Sequence, residues 1–211
     1  MFTKEFGRQL QNLLQKGYPE AAGITEEQFT RSIKPLGEIA SRLIAPIIDL
    51  EKGKLPFVVV IKNSLVPVEK AMALINREGK SGIINMTPVT PADFLPIDGT
   101  GIPPGPAYLA VYIDRGRDTL NIRPKDALIT IRGNNRFPLT IEEGIAILTH
   151  FPDFLKKNNC FSLLASRRND KRVPALWISE GRPKLGWCWD GNPHTWLGSA
   201  SCACRLAVQD K

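Results

Sequence analysis

Residues 88–106 hold six of the chain's seventeen prolines, together with Gly99, Gly101 and Gly105. Proline fixes φ and donates no backbone hydrogen bond, so this stretch forms neither a helix nor a central strand. It predicts an extended connection over the surface, and Phe94, Leu95 and Ile97 within it point to a segment pinned to the core. The chain therefore reads as two blocks of regular structure joined by an internal crossing. At 211 residues it is long enough to bury a sizeable core as one large domain.

Before the crossing the signals are mainly helical. Phe2, Phe6, Leu10, Leu13 and Leu14 share one helical face, which Gly17 and Pro19 end. Thr25 followed by Gln28 has the form of a capping box and starts a second helix through Phe29 and Ile33. A third apolar stretch, residues 39–50, is broken at Pro46. Residues 1–50 thus predict a helical layer. The valine-rich run 55–61 suits a buried strand, and residues 81–86 read as another.

After the crossing, residues 107–113 alternate with Leu109, Val111 and Ile113 on one face. Thr140 and Glu143 form a second capping box, for a helix that buries Ile141, Ile145 and Leu148 and stops near Pro152. Residues 160–165, 173–179 and 184–190 read as three strands with short connections, an antiparallel meander. These elements predict an α+β fold in a single domain: N-terminal helices, then a mostly antiparallel sheet with a packed helix.

The chemistry-bearing side chains are concentrated in one place. All four tryptophans, both histidines and all four cysteines lie in residues 150–204. Trp187 and Trp189 are two apart, so they share a strand face while Cys188 points away. That pair reads either as a stacking wall for a flat ligand or as core. Asn192, His194 and Trp196 follow in a turn and add polar groups beside the aromatic ones. Arg167, Arg172 and Arg182 would supply positive charge. Cys188, His194, Cys202 and Cys204 have the chemistry of a zinc set, but their spacing lacks the paired knuckle of structural sites, so no metal is expected. His150 and Cys160 invite a base–nucleophile reading, with His194 as another acid–base candidate; the alternative is a capping histidine and an inert thiol.

Residues 151–211 carry ten Lys/Arg against five Asp/Glu, an excess centred on residues 167–172. The cluster reads as a nucleic-acid or protein contact, or as a solvated hairpin tip around Asn169-Asp170. The Asp114-to-Asp118 turn, with two arginines around Gly116, reads as an anion grip or as turn chemistry with local ion pairs. No apolar run has the length of a membrane span, which predicts a protein off the membrane and in the cytoplasm.

The strings at residues 139–152, 172–179 and 183–202 resemble a bacterial family known only as a domain of unknown function, and the similarity extends over most of the chain. Where Ala203-Cys204 stand, the family pattern has glycine, which sets Cys204 apart. The resemblance implies no activity, no cofactor and no catalytic residue. The residues themselves favour a small-molecule or anionic-ligand binding protein, with an enzyme and a nucleic-acid or partner-binding protein as alternatives. Oligomeric state is left open.

Overall fold

The computed structural model describes residues 2–43 and 48–208. The side chain of Phe2 and the expected break at Pro46 fall outside the described residues. The N-terminal layer consists of α1 (Phe2–Gln15), α2 (Tyr18–Ala22), α3 (Glu26–Ile33) and α4 (Leu36–Ser41). The Thr25 capping box forms as expected, with Gln28 and Thr25 each closing on the other's backbone.

The strand β1 (Lys54–Ile61) leads to α5 (Val68–Leu74), a helix the sequence reading did not foresee. The strand expected at 81–86 is broken up. A short hairpin, β2 (Asn76–Arg77) and β3 (Lys80–Ser81), is followed by a separate β4 (Ile83–Ile84). Gly82 causes the interruption: a Cβ there would stand 2.4 Å from the Met72 carbonyl oxygen, so the chain turns in against α5. The Pro/Gly-rich crossing is pinned as expected. Its β5 (Leu95–Pro96) pairs with a later strand, Phe94 is buried, and Ile97 donates to the Ala165 carbonyl at 2.9 Å. Leu95 itself is exposed.

The second block begins with β6 (Ala107–Asp114) and α6 (Pro124–Gly133), then β7 (Phe137–Pro138) and α7 (Ile141–His150). Next come β8 (Cys160–Ser162), β9 (Ser166–Arg167), β10 (Arg172–Ser179) and β11 (Arg182–Trp189). The described chain closes with β12 (Leu197–Ser199), β13 (Ser201–Cys202) and β14 (Cys204–Leu206). The helix α6 was not expected, although Pro124 at its first turn and Ala127 with Ile131 on its buried side carry the signal.

These strands build two five-stranded sheets. The first runs β1-β6-β13-β7, with β14 also on β6, and all its pairs are antiparallel. The second runs β12-β8-β10-β11-β4. Its centre is the expected antiparallel meander, while β12 and β4 join its edges in parallel. The chain passes from one sheet to the other at Ala200, between β12 and β13. Helix α7 packs against β1 of the first sheet and β10 of the second, and nine of its ten residues are buried. The architecture is α+β, and no described helix is long and apolar enough to cross a membrane.

Candidate functional site

The β10–β11 register decides which aromatic side chains meet. Trp189 stands opposite Arg172 and Trp187 opposite Pro174, so these four share one face of the sheet. Trp177 stands opposite Lys184, on the other face. The group expected to line one pocket therefore divides between two surfaces.

On the first surface the rings of Trp187 and Trp189 meet edge to face at 5.0 Å. The Arg172 guanidinium lies 4.5 Å from the first ring centre and 5.0 Å from the second, a double cation–π contact. Asp170 pairs with the same guanidinium, and Trp187 Nε1 donates to the Met86 carbonyl at 3.0 Å. The protein's own arginine thus packs on both rings, although Trp189 remains 41% exposed.

The second surface is open. Trp177 lies across Gly186, where an added Cβ would come within 2.1 Å of the indole. Trp196, arriving from the loop before β12, meets Trp177 edge to face at 6.4 Å, and His194 stacks 5.2 Å from Trp196. The two indoles, but not His194, border a cleft of about 610 Å³, whose other walls include Lys157, Asn158, Cys160 and Thr195. Among the described residues no acidic side chain lines it. Lys184 Nζ sits 5.5 Å from the Trp177 ring centre, and the buried Arg115 is near enough to Cys160 for its charge to act on the thiol. Asn192 is exposed on the turn and does not line the cleft.

The other chemical candidates do not assemble. Among the described residues no three of His, Cys, Asp and Glu stand together as a metal site. Cys188 lies beside Ser162, Cys202 beside Glu143 and Arg205, and His194 on the outer loop, so these three residues do not come together. His150 and Cys160 likewise have separate partners. His150 Nδ1 meets the Asn12 carboxamide at 3.2 Å and Nε2 the Val59 carbonyl at 3.3 Å. Cys160 Sγ donates to the Lys156 carbonyl at 3.4 Å. Burial pushes the thiols of Cys160 and Cys188 up to about 11 and raises Cys202 further. Burial also pulls His150 down to about 3, so neither half of a thiolate–imidazolium pair is favoured.

A family model described as a family of unknown function, DUF5701, matches residues 12–208. The chain belongs to DUF5701. No curated protein and no solved structure shows a significant match to it. The DUF5701 match takes in both tryptophan groups and the whole of the second block.

In this DUF5701 chain the basic hairpin is largely neutralised from within. Arg167 pairs with Asp190 at 2.9 Å, and Asp170 answers both Arg168 and Arg172. Arg182 lies at the far end of the hairpin, opposite Ser179, away from the other two arginines. The Asp114-to-Asp118 turn is structural. Gly116, at φ 85°, approaches the Ser199 backbone so closely that a Cβ would stand 2.1 Å from its oxygen. Arg115 turns inward and donates to the carbonyls of Phe154, Glu51 and Leu50 at 2.8, 3.1 and 3.3 Å.

The sequence reading missed the most heavily bonded polar cluster. Glu143 closes the α7 capping box, accepts from Tyr108 Oη at 3.1 Å, and receives Arg205 through a buried fork at 2.6 and 2.8 Å. Burial alone would lower Arg205, but the Glu143 carboxylate outweighs it and raises the guanidinium's pKa. Glu143 at a capping position was visible; nothing local marked Arg205 as its partner.

Proposed function

We propose that the cleft between Trp177 and Trp196 binds a small planar anion, held against the indole rings and hydrogen-bonded by Lys157, Asn158 and Thr195. One observation carries this reading. Two half-buried tryptophans from different elements meet three exposed polar side chains around about 610 Å³ of open space. Apolar walls with a few converging polar groups are the usual make-up of a ligand site, and exposed indole has a face to offer. The sign of charge follows from the lining: Lys157 with Lys184 nearby, and no carboxylate among the described residues. His194, stacked on Trp196, holds that ring in place at the cleft's margin.

The role we propose is binding without bond-making; burial pushes the Cys160 thiol in the cleft up to about 11, which disfavours it as a nucleophile. The four free cysteines are in keeping with a reducing, cytoplasmic setting. Calorimetric titration with benzoate, phenyl phosphate and adenosine monophosphate tests the assignment. Trp196→Leu should weaken whichever probe binds by about tenfold, the scale of one stacking contact, while Trp189→Leu should leave it unchanged. The reverse pattern would place binding on the Arg172 surface and end this reading.

A further inference from the structure

A second cleft, of about 250 Å³, is bordered by Thr100, Arg132, Asn135, Arg136 and Pro138. Beneath it lies Arg205, which donates to the carbonyls of Thr100 and Pro138 at 2.6 and 2.8 Å and so ties the two walls together. Three arginines surround this space, and Glu143 is the one carboxylate paired with any of them among the described residues. Glu143 balances Arg205, so the charges of Arg132 and Arg136 remain.

The two are held to different degrees: Arg136 is half-buried and Arg132 exposed. Arg136 is fixed by Nε to Ser201 Oγ at 2.8 Å and by Nη2 to the Tyr112 carbonyl at 2.6 Å and the Ser201 carbonyl at 3.3 Å. Its Nη1 has no partner among the described residues. Arg132 is steadied by one bond, from Nη2 to the Asp98 carbonyl at 2.9 Å, which leaves its Nε and Nη1 for something else. Asn135, held at φ 54° between them in sequence, adds a carboxamide at the rim. Charged donors converging on one cleft are complementary to an oxyanion, and the ordering cost of Arg136 is already met by its bonds to Ser201 and Tyr112.

We infer that this cleft is an oxyanion site for a small dianionic group, a phosphate or a dicarboxylate, separate from the tryptophan cleft. Two uncompensated guanidinium groups match two negative charges, with Arg136 Nη1 and Arg132 Nε and Nη1 as the donors left to reach them.

Calorimetry of the intact protein with inorganic phosphate and with succinate, at low and at 0.5 M salt, decides the matter. Binding of phosphate, of succinate, or of both at low salt supports the site and names the oxyanion it takes. Arg132→Gln, an exposed change that leaves the fold in place, should then weaken binding by about tenfold, the worth of one charged hydrogen bond. Arg136→Lys keeps the charge but loses the bonds to Ser201 and Tyr112 that aim it, and should also weaken binding. Trp196→Leu should bind like the wild type, which separates this site from the tryptophan cleft. Absence of binding by either probe, or an Arg132→Gln protein that binds as well as the wild type, overturns the inference.

Discussion

Gln9 occupies a position on α1 where an apolar residue would be expected, and it is fully buried against β1. Its Nε2 donates to the Phe57 carbonyl at 3.2 Å and its Oε1 accepts from the Val59 amide at 2.8 Å. His150 supplies the next contact, at the Val59 carbonyl. Together the two side chains satisfy an edge of β1 that has no strand beside it, which is why both are buried polar residues. His150 is therefore structural and neutral. Its pKa falls from 6.5 to about 3, chiefly through burial and then through the charge of Arg8. In the unfolded chain the ring protonates near its ordinary value. Its contribution to stability is accordingly complete above about pH 6.5 and lost progressively as the pH falls towards 3. The slope it adds is about 1.4 kcal/mol per pH unit across that window. His150→Gln keeps a donor for the Val59 carbonyl and cannot titrate. Urea unfolding of this variant between pH 7 and pH 4.5 should show a flatter pH dependence than the wild type. Equal slopes for the two proteins would show that His150 is not the group responsible.

At the scale of elements, α7 is tied to β14 and β6 by the Glu143–Arg205–Tyr108 cluster, and the two sheets are brought together around that helix. Breaking a buried pair leaves an uncompensated charge, so Arg205→Met should lower stability by about 3–5 kcal/mol. The double variant with Glu143→Gln should be less destabilised than the sum of the two single changes. Additive losses in denaturant unfolding would mean that the two groups act independently. Gly186 makes a comparable point in the second sheet. Its missing side chain is what lets Trp177 lie across the strand, so Gly186→Ala should cost about 1–3 kcal/mol through overpacking. It should also move the Trp177 indole; an unchanged tryptophan spectrum with unchanged stability would contradict the described packing. Both capping boxes and the central meander were legible in the sequence because their signals are local. Helix α6 and strand β14 were not. The first hides a modest apolar face behind Pro124, and the second is fixed by pairing with a strand some ninety residues earlier.

At the scale of the whole molecule, the Trp, His and Cys residues of 150–204 are dispersed: the strand tryptophans divide between the two faces of the second sheet, Cys202 and Cys204 belong to the first sheet, and His150 ends α7. Strand alternation correctly paired Trp187 with Trp189, but no sequence rule shows that Arg172 packs on both rings or that Trp196 crosses to meet Trp177. Those are consequences of register and loop path. The candidate site was thus partly legible: Trp196 lines the open cleft with His194 packed on its ring, whereas Arg172 is turned against the other tryptophans. The four indole Nε1–H resonances of this chain, followed by NMR during titration with a panel of aromatic carboxylates, aryl phosphates and nucleoside monophosphates, report directly on which pair faces a ligand. The signals of Trp177 and Trp196 should shift together with one class of anion while those of Trp187 and Trp189 stay in place. Shifts confined to Trp187 and Trp189, or no shift of any indole across the panel, would contradict the assignment of the cleft.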